Sequence, residues 1–207
     1  MAKIGIIGYG FVGEAVDHGF KIKNEIKIYD KYKESDTFEE TINNSEIIFI
    51  CLPTPYKENK IDLSIMDETI RNINEIAAGT DKIIVIKSTA IPGTTEEYSK
   101  KYPDLNFCFN PEFLREKHHI SDFINADRTV IGADKEEVKE RMNKLYKENF
   151  PTTPIFTSNP AAAELSKYMA NSFLATKVIF ANEIYDLCKK LNIDYEDVKK
   201  MVTSDKR

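Results

Sequence analysis

The sequence predicts an α/β protein: a doubly wound, mainly parallel sheet followed by one long helix and a short one. Three observations carry this. Short β-branched apolar runs alternate with amphipathic stretches, as in a parallel sheet flanked by helices. A glycine cluster, Gly8, Gly10 and Gly13, joins the first apolar run to the first helical stretch. Glycine then disappears after Gly132 and proline after Pro160, so the rest of the chain carries neither helix breaker.

Each element follows from its local pattern. Lys3–Gly8 is a first strand, and Phe11–Lys21 the helix after it. Glu25–Asp30 alternates and ends on an acid. Thr37–Asn43 reads as a short helix, Glu46–Leu52 as a buried strand and Ser64–Ala77 as an amphipathic helix. In Lys82–Ser88 the run Ile83-Ile84-Val85-Ile86 is apolar on both faces, as a strand covered on both sides must be. Thr94–Lys101 and Lys135–Glu148 are helices, and Asn106–Asn110, Thr129–Ala133 and Pro154–Thr157 are strands. Pro160 suits the first position of a helix after Ser158-Asn159. That helix runs unbroken to about Leu191, and a shorter one spans Asp194 to about Val202. The expected boundary places a sheet domain in residues 1–157 and a helical extension in 158–207.

The glycine cluster is the most informative feature. Strand, then G-x-G-x-x-G, then helix, with an acid about 20 residues further on, describes a Rossmann-type dinucleotide site. Gly8 permits the tight turn, Gly10 a close approach of backbone to pyrophosphate, and Gly13 close packing of helix on strand. Tyr9, Phe11 and Val12 fill out the loop, and the pyrophosphate sits on free N–H groups at the helix N-terminus. Asp30 can accept both ribose hydroxyls, which favours NAD over NADP.

Composition narrows the function classes. The net charge of -5 disfavours nucleic acid and acidic lipid as partners. The longest central apolar run, Ile47–Leu52, is too short to span a bilayer. Cys51, Cys108 and Cys188 show no metal or disulfide spacing, which suits a reducing cytoplasm. His118-His119 is a poor metal motif and reads as loop; no metal site is expected.

Four clusters lie where ligands bind in such sheets. Pro53-Thr54-Pro55 ends the third strand and fixes Thr54 at the sheet's carboxyl edge. Ser88-Thr89 follows the fourth strand; Thr89 is a site candidate, while Thr94 or Thr95 is expected to cap the next helix. Asn110-Pro111-Glu112-Phe113-Leu114-Arg115-Glu116 places two carboxylates beside an arginine. On the long helix, Glu164, Lys167, Asn171, Val178 and Asn182 share a face. Lys167 and Asn171, one turn apart, are suited to holding a developing oxyanion.

Taken together, these clusters resemble the UDP-glucose/GDP-mannose dehydrogenase family over essentially the whole chain. The carriers are Gly8–Gly13, Asp30, Pro53–Pro55, Ser88-Thr89 with Pro92–Thr95, Asn110–Glu116, Asp127–Gly132, Ala163–Asn171 and Asn182-Glu183. The resemblance implies oxidation of a nucleotide sugar, such as a UDP-glucose-like substrate, to a uronic acid with two successive reductions of NAD. A family cysteine captures the intermediate aldehyde. Carried over, Lys167 and Asn171 steady the oxyanion, and Glu112 and Thr89 position or activate water. Glu116 lines the sugar and nicotinamide site, and Phe113 and Leu114 meet the sugar nucleotide through their backbone. A cytoplasmic homodimer formed through the long helix is expected.

Two features depart from the family. Lys117-His118-His119 stands where small residues are usual. The family's nucleophilic cysteine lies in a glycine-rich loop beyond the helical linker, and this chain has no glycine after Gly132. None of the three cysteines has the right setting. The expectation is therefore a truncated chain that binds NAD but does not complete the oxidation alone. The alternatives are a dehydrogenase of the β-hydroxyacid or 6-phosphogluconate type and a naturally short, non-catalytic NAD-binding protein.

Overall fold

The computed structural model describes residues 1–205. By density of internal contacts the chain forms two compact units, one spanning Met1–Lys167 and a second beginning at Tyr168.

The first unit is built on a seven-stranded sheet. Its strands are β1 (Lys3–Ile7), β2 (Glu25–Tyr29), β3 (Ile47–Ile50), β6 (Ile83–Ile86), β7 (Asn106–Phe109), β8 (Thr129–Gly132) and β9 (Ile155–Ser158). They lie in the order β2-β1-β3-β6-β7-β8-β9. Every pairing is parallel except β7 with β8, so β8 and β9 run against the rest. All seven expected strands are present, with their ends shifted by no more than two residues. From β1 the chain moves outward to β2 and then returns to β3 on the other side. That reversal opens a crevice at the carboxyl ends of β1 and β3.

Side-chain alternation explains the two layers around the sheet. Ile47, Phe49, Ile83, Val85 and Cys108 face α1 (Phe11–Phe20), α5 (His119–Ile124) and α6 (Glu136–Asn149). The intervening Ile48, Ile50, Ile84, Ile86, Phe107 and Phe109 face α2 (Phe38–Asn43), α3 (Ser64–Ala77) and α4 (Thr94–Lys101). Both faces exclude water, so these strands are apolar throughout. Helix ends follow local chemistry. Thr37 and Glu40 form a reciprocal capping box at the start of α2.

Two segments depart from the sequence expectation. A small antiparallel hairpin, β4 (Tyr56–Lys57) with β5 (Lys60–Ile61), follows the Pro53–Pro55 loop. His118 and His119 are not loop residues: His118 closes a 3-10 helix (Glu116–His118) and His119 begins α5. Their side chains and carbonyls knit this segment, with Ser121 donating to the His118 carbonyl oxygen at 3.0 Å.

Helix α7 (Pro160–Leu191) begins in the first unit and continues into the second. Within the second unit, Asn192 at φ 55 turns the chain into α8 (Tyr195–Thr203). Asp194 caps α8, and Tyr185 meets Tyr195 edge to face at 5.5 Å. Among the described residues, no helix is long and apolar enough to cross a membrane.

Candidate functional site

The carboxyl ends of β2, β1, β3, β6 and β7 bring Asp30, Gly8, Pro53-Thr54, Ser88-Thr89 and Glu112 to one edge of the sheet. Together they border a cleft of about 720 Å³.

The three glycines of the turn do different things. Gly8 has φ 91, and a Cβ there would meet the Cys51 carbonyl oxygen at 2.6 Å. A Cβ on Gly13 would lie 2.1 Å from the Gly8 carbonyl oxygen, so this position sets how closely α1 approaches β1. A Cβ on Gly10 would meet nothing within 4 Å. Its face is open space, directly at the N-terminus of α1, which no side chain caps. Free N–H groups beside an open, Cβ-less face fit a pyrophosphate.

Asp30 anchors the same turn. Its carboxylate accepts from the Tyr9 N–H at 2.7 Å and the Tyr32 N–H at 2.9 Å. Partial burial opposes its charge. Those hydrogen bonds and the Lys33 ammonium outweigh that opposition and hold the carboxyl below its ordinary range. Tyr9 contributes its backbone: its hydroxyl turns away to donate to Asp17 at 2.8 Å. Phe11 and Val12 line the cleft.

Ser88 joins the loops after β3 and β6. Its hydroxyl receives the Leu52 N–H at 2.9 Å and donates to the Leu52 carbonyl at 2.7 Å. Thr54 and Thr89 line the cleft beside this tie. The expected helix cap is different. Gly93, not a threonine, occupies the cap position of α4, at φ 101. Thr94 donates to the Ile91 carbonyl instead. The N-terminus of α4 is capped by Glu164 from α7, which accepts from Gly93 N–H, Thr95 N–H and the Thr95 hydroxyl at 2.6–2.8 Å. Burial pushes the Glu164 carboxyl up. These bonds tie the first turns of α7 to α4 within the first unit.

The Asn110–Glu116 segment separates its two acids. Glu112 points inward. Its carboxylate accepts from the Lys167 ammonium at 2.9 Å and from the Leu114 N–H at 2.8 Å. Lys167 also donates to the Glu112 carbonyl. The pair is nearly dry, with side-chain exposures of 7% for Lys167 and 12% for Glu112. Phe113 lies near two cations, the Arg128 guanidinium 4.1 Å from its ring centre and Lys167 at 5.6 Å. Glu116 is exposed at the start of the 3-10 helix and does not line the cleft. Arg115 serves neither acid; it forks onto Asp122 at 2.9 and 2.7 Å. Asn171 lies one turn beyond Lys167 on α7, in the second unit, and is exposed.

Lys87 was not foreseen. It is buried, lines the cleft, and donates to Asn110 Oδ1 at 2.8 Å. Asn110 also receives the Tyr146 hydroxyl on Oδ1 and donates to the Val130 carbonyl. The start of the Asn110–Glu116 loop is thereby fixed from three sides. Burial pushes the Lys87 ammonium down to about 8. The available signal was period two: Lys87 continues the Ile83, Val85 face and so must enter the layer near Phe123, whose ring lies 5.3 Å from its ammonium. Cys51 and Cys108 are buried thiols pushed up to about 12, the opposite of an activated nucleophile.

The fold and cleft together define a doubly wound dinucleotide-binding domain with a buried acid–lysine pair beside the cleft. The NAD binding domain of the UDP-glucose/GDP-mannose dehydrogenase family matches residues 21–150, and the family's central domain matches residues 161–207. The chain belongs to this family. It is 36% identical over 188 residues to a UDP-glucose 6-dehydrogenase of Rickettsia bellii, covering 86% of this chain and 42% of that protein. A GDP-mannose 6-dehydrogenase of Pseudomonas savastanoi is 34% identical over 189 residues, covering 85% and 43%. Among solved structures, a UDP-glucose dehydrogenase from Pyrobaculum islandicum superposes with TM-score 0.90 at 29% identity, over all of this chain and 57% of that one. The chain thus spans less than half the length of these curated relatives.

Proposed function

We propose that this chain supplies the NAD site and part of the catalytic apparatus of a nucleotide-sugar 6-dehydrogenase acting on a UDP-glucose-like sugar. The observation that carries the reading is the nearly dry Glu112–Lys167 ion pair, whose Glu112 lines the same cleft as Gly8 and Gly10.

The chemistry that bound NAD would supply is hydride acceptance from the sugar's primary alcohol carbon. The chain's own residues would prepare both partners. Gly8 through Gly13 present backbone N–H groups to the pyrophosphate, and Asp30 receives ribose hydroxyls. Pro53, Thr54 and Thr89 border the same cleft. Lys167, oriented by Glu112, has a donor for oxygen that becomes negative as the alcohol is oxidised. In so dry a setting that donor is worth far more than in water. By the family resemblance, Asn171 would share that role. Glu112 and Thr89 would hold water. The Phe113 and Leu114 backbone would meet the sugar nucleotide, with Glu116 at its rim.

Several finer readings belong to the same proposal. Residues 1–157 would be the NAD-binding domain, with 158–207 opening a helical linker. Met169, Phe173, Ile179 and Phe180 on α7 are each more than 60% exposed, and such a face suits a second copy of the chain. Three cysteines without a disulfide suit a cytoplasmic setting.

The test is calorimetric titration of the protein with NAD, alone and in the presence of UDP-glucose, GDP-mannose or a 3-hydroxy acid. NAD binding that UDP-glucose tightens supports the reading. NAD binding tightened by a 3-hydroxy acid but by no nucleotide sugar would overturn it.

A further inference from the structure

His119 sits in a geometry that one protonation state alone satisfies. Its Nδ1 lies 2.8 Å from the Glu116 carbonyl oxygen, and its Nε2 lies 3.1 Å from Glu14 Oε2. A carbonyl and a carboxylate are acceptors only, so both contacts are hydrogen bonds only when both ring nitrogens carry hydrogen. The neutral ring has one N–H and must turn a lone pair toward one of the two oxygens.

Its position gives this consequence. Glu14 belongs to the first turn of α1, whose N–H groups form the open anion site above Gly10. Phe11, the first residue of that helix and a wall of the cleft, meets the His119 ring edge to face at 6.2 Å. His119 itself begins α5, directly after the segment that carries Glu112 and Glu116. One side chain therefore ties the dinucleotide turn to the Asn110–Glu116 loop.

We propose that His119 is a positioning residue for the dinucleotide: as an imidazolium it neutralises Glu14 and braces Phe11, and its deprotonation weakens NAD binding. This rests on the Gly8–Gly13 turn being the NAD site. A carboxylate in the first helical turn repels an incoming pyrophosphate. Paired with an imidazolium it is screened.

The neighbouring groups agree with this assignment. The charges acting on the ring are Glu14 from α1 and Glu116 from the 3-10 helix. Elsewhere on these elements, Asp17 is held by Tyr9 and Lys21, and Asp122 by Arg115. His18 follows Glu14 by one helical turn. The bond to Glu116, opposed by slight burial and aided by Glu14, raises the imidazole above its ordinary value. A raised base contributes fully below its unfolded pKa, and that contribution is lost as pH rises through the folded value. NAD affinity should therefore fall above about pH 6.5, the ordinary imidazole value.

The pair is partly exposed, with 20% of the His119 side chain and 43% of Glu14 accessible. The effect expected of such a pair is about two- to fivefold in affinity. The experiment is calorimetric titration with NAD at several pH values, alongside NMR titration of the His119 ring without NAD. The wild type should bind more weakly at high pH. His119→Asn should be flat at the weak level, and Glu14→Gln flat at the tight level, with its His119 titrating at lower pH than in wild type. A wild-type pH profile retained in His119→Asn, or a His119 titration unmoved by Glu14→Gln, would overturn the proposal. Absence of NAD binding at every pH would instead refute the NAD site itself, leaving the ring titration to judge the Glu14 contact alone.

Discussion

Replacing Gly10 and Gly13 separately by alanine should split binding from folding. In Gly13→Ala the new methyl would sit 2.1 Å from the Gly8 carbonyl oxygen and 3.3 Å from Ile6 Cγ2. The first of these is backbone, so α1 must retreat from β1. Overpacking of this kind costs about 1–3 kcal/mol, less up to about 1 kcal/mol gained because alanine favours helix. For a chain of this length each kcal/mol lowers Tm by about 2–4 °C, so a fall of several degrees is expected. In Gly10→Ala the methyl meets no protein atom within 4 Å, and φ −79 is ordinary for alanine. A helix cap position prefers glycine over alanine only slightly, about 1 kcal/mol or less. The methyl does occupy the open face where pyrophosphate would lie, so NAD affinity should drop more than about tenfold, or 1.4 kcal/mol. Differential scanning calorimetry and NAD titration on both variants give the answer. A Gly10→Ala protein that folds and binds NAD as tightly as wild type would refute the placement of the pyrophosphate.

Two further outcomes are expected. Lys167→Ala strands the Glu112 carboxylate in a nearly dry site and should cost about 3–5 kcal/mol of stability by chemical denaturation. On α7, Phe173→Glu together with Phe180→Glu should shift sedimentation from dimer to monomer, and a monomeric wild type at high concentration would contradict the interface.

Much of the fold was legible because strand burial was written into composition. Ile47–Ile50 and Ile83–Ile86 are apolar at every position, and both faces of each are covered. Helix α7 was legible from end to end, since Pro160 starts it and nothing breaks it before Asn192. The β4–β5 hairpin was not. Its strands are two residues each, with no apolar alternation, and its turn residues Glu58 and Asn59 adopt φ 50 and 61. Asn is a common signal for that conformation, but Glu is not. The site was legible where function rides on local backbone, as in Gly8–Gly13. It was least legible where partners are far apart in sequence. Glu164 reaches Thr95 across 69 residues, and Lys87 reaches Asn110 across 23. No local pattern announces such bonds: sequence alone points to the nearer threonines for the cap on α4 and shows Lys87 only as part of a strand.

The central claim is that the Gly8–Gly13 turn and Asp30 form an NAD site. It is tested most directly by titrating the chain with NAD and with NADP in the same calorimeter. Asp30 is ionised, held low by two backbone N–H groups, and would face the ribose of the adenosine half. A 2′-phosphate placed there meets a like charge. NAD should bind at one site per chain and NADP at least about tenfold more weakly, while Asp30→Ala should lose about 1–3 kcal/mol of NAD binding and most of the discrimination. Equal affinities for the two dinucleotides in the wild type, or NAD binding untouched by Asp30→Ala, would contradict the account.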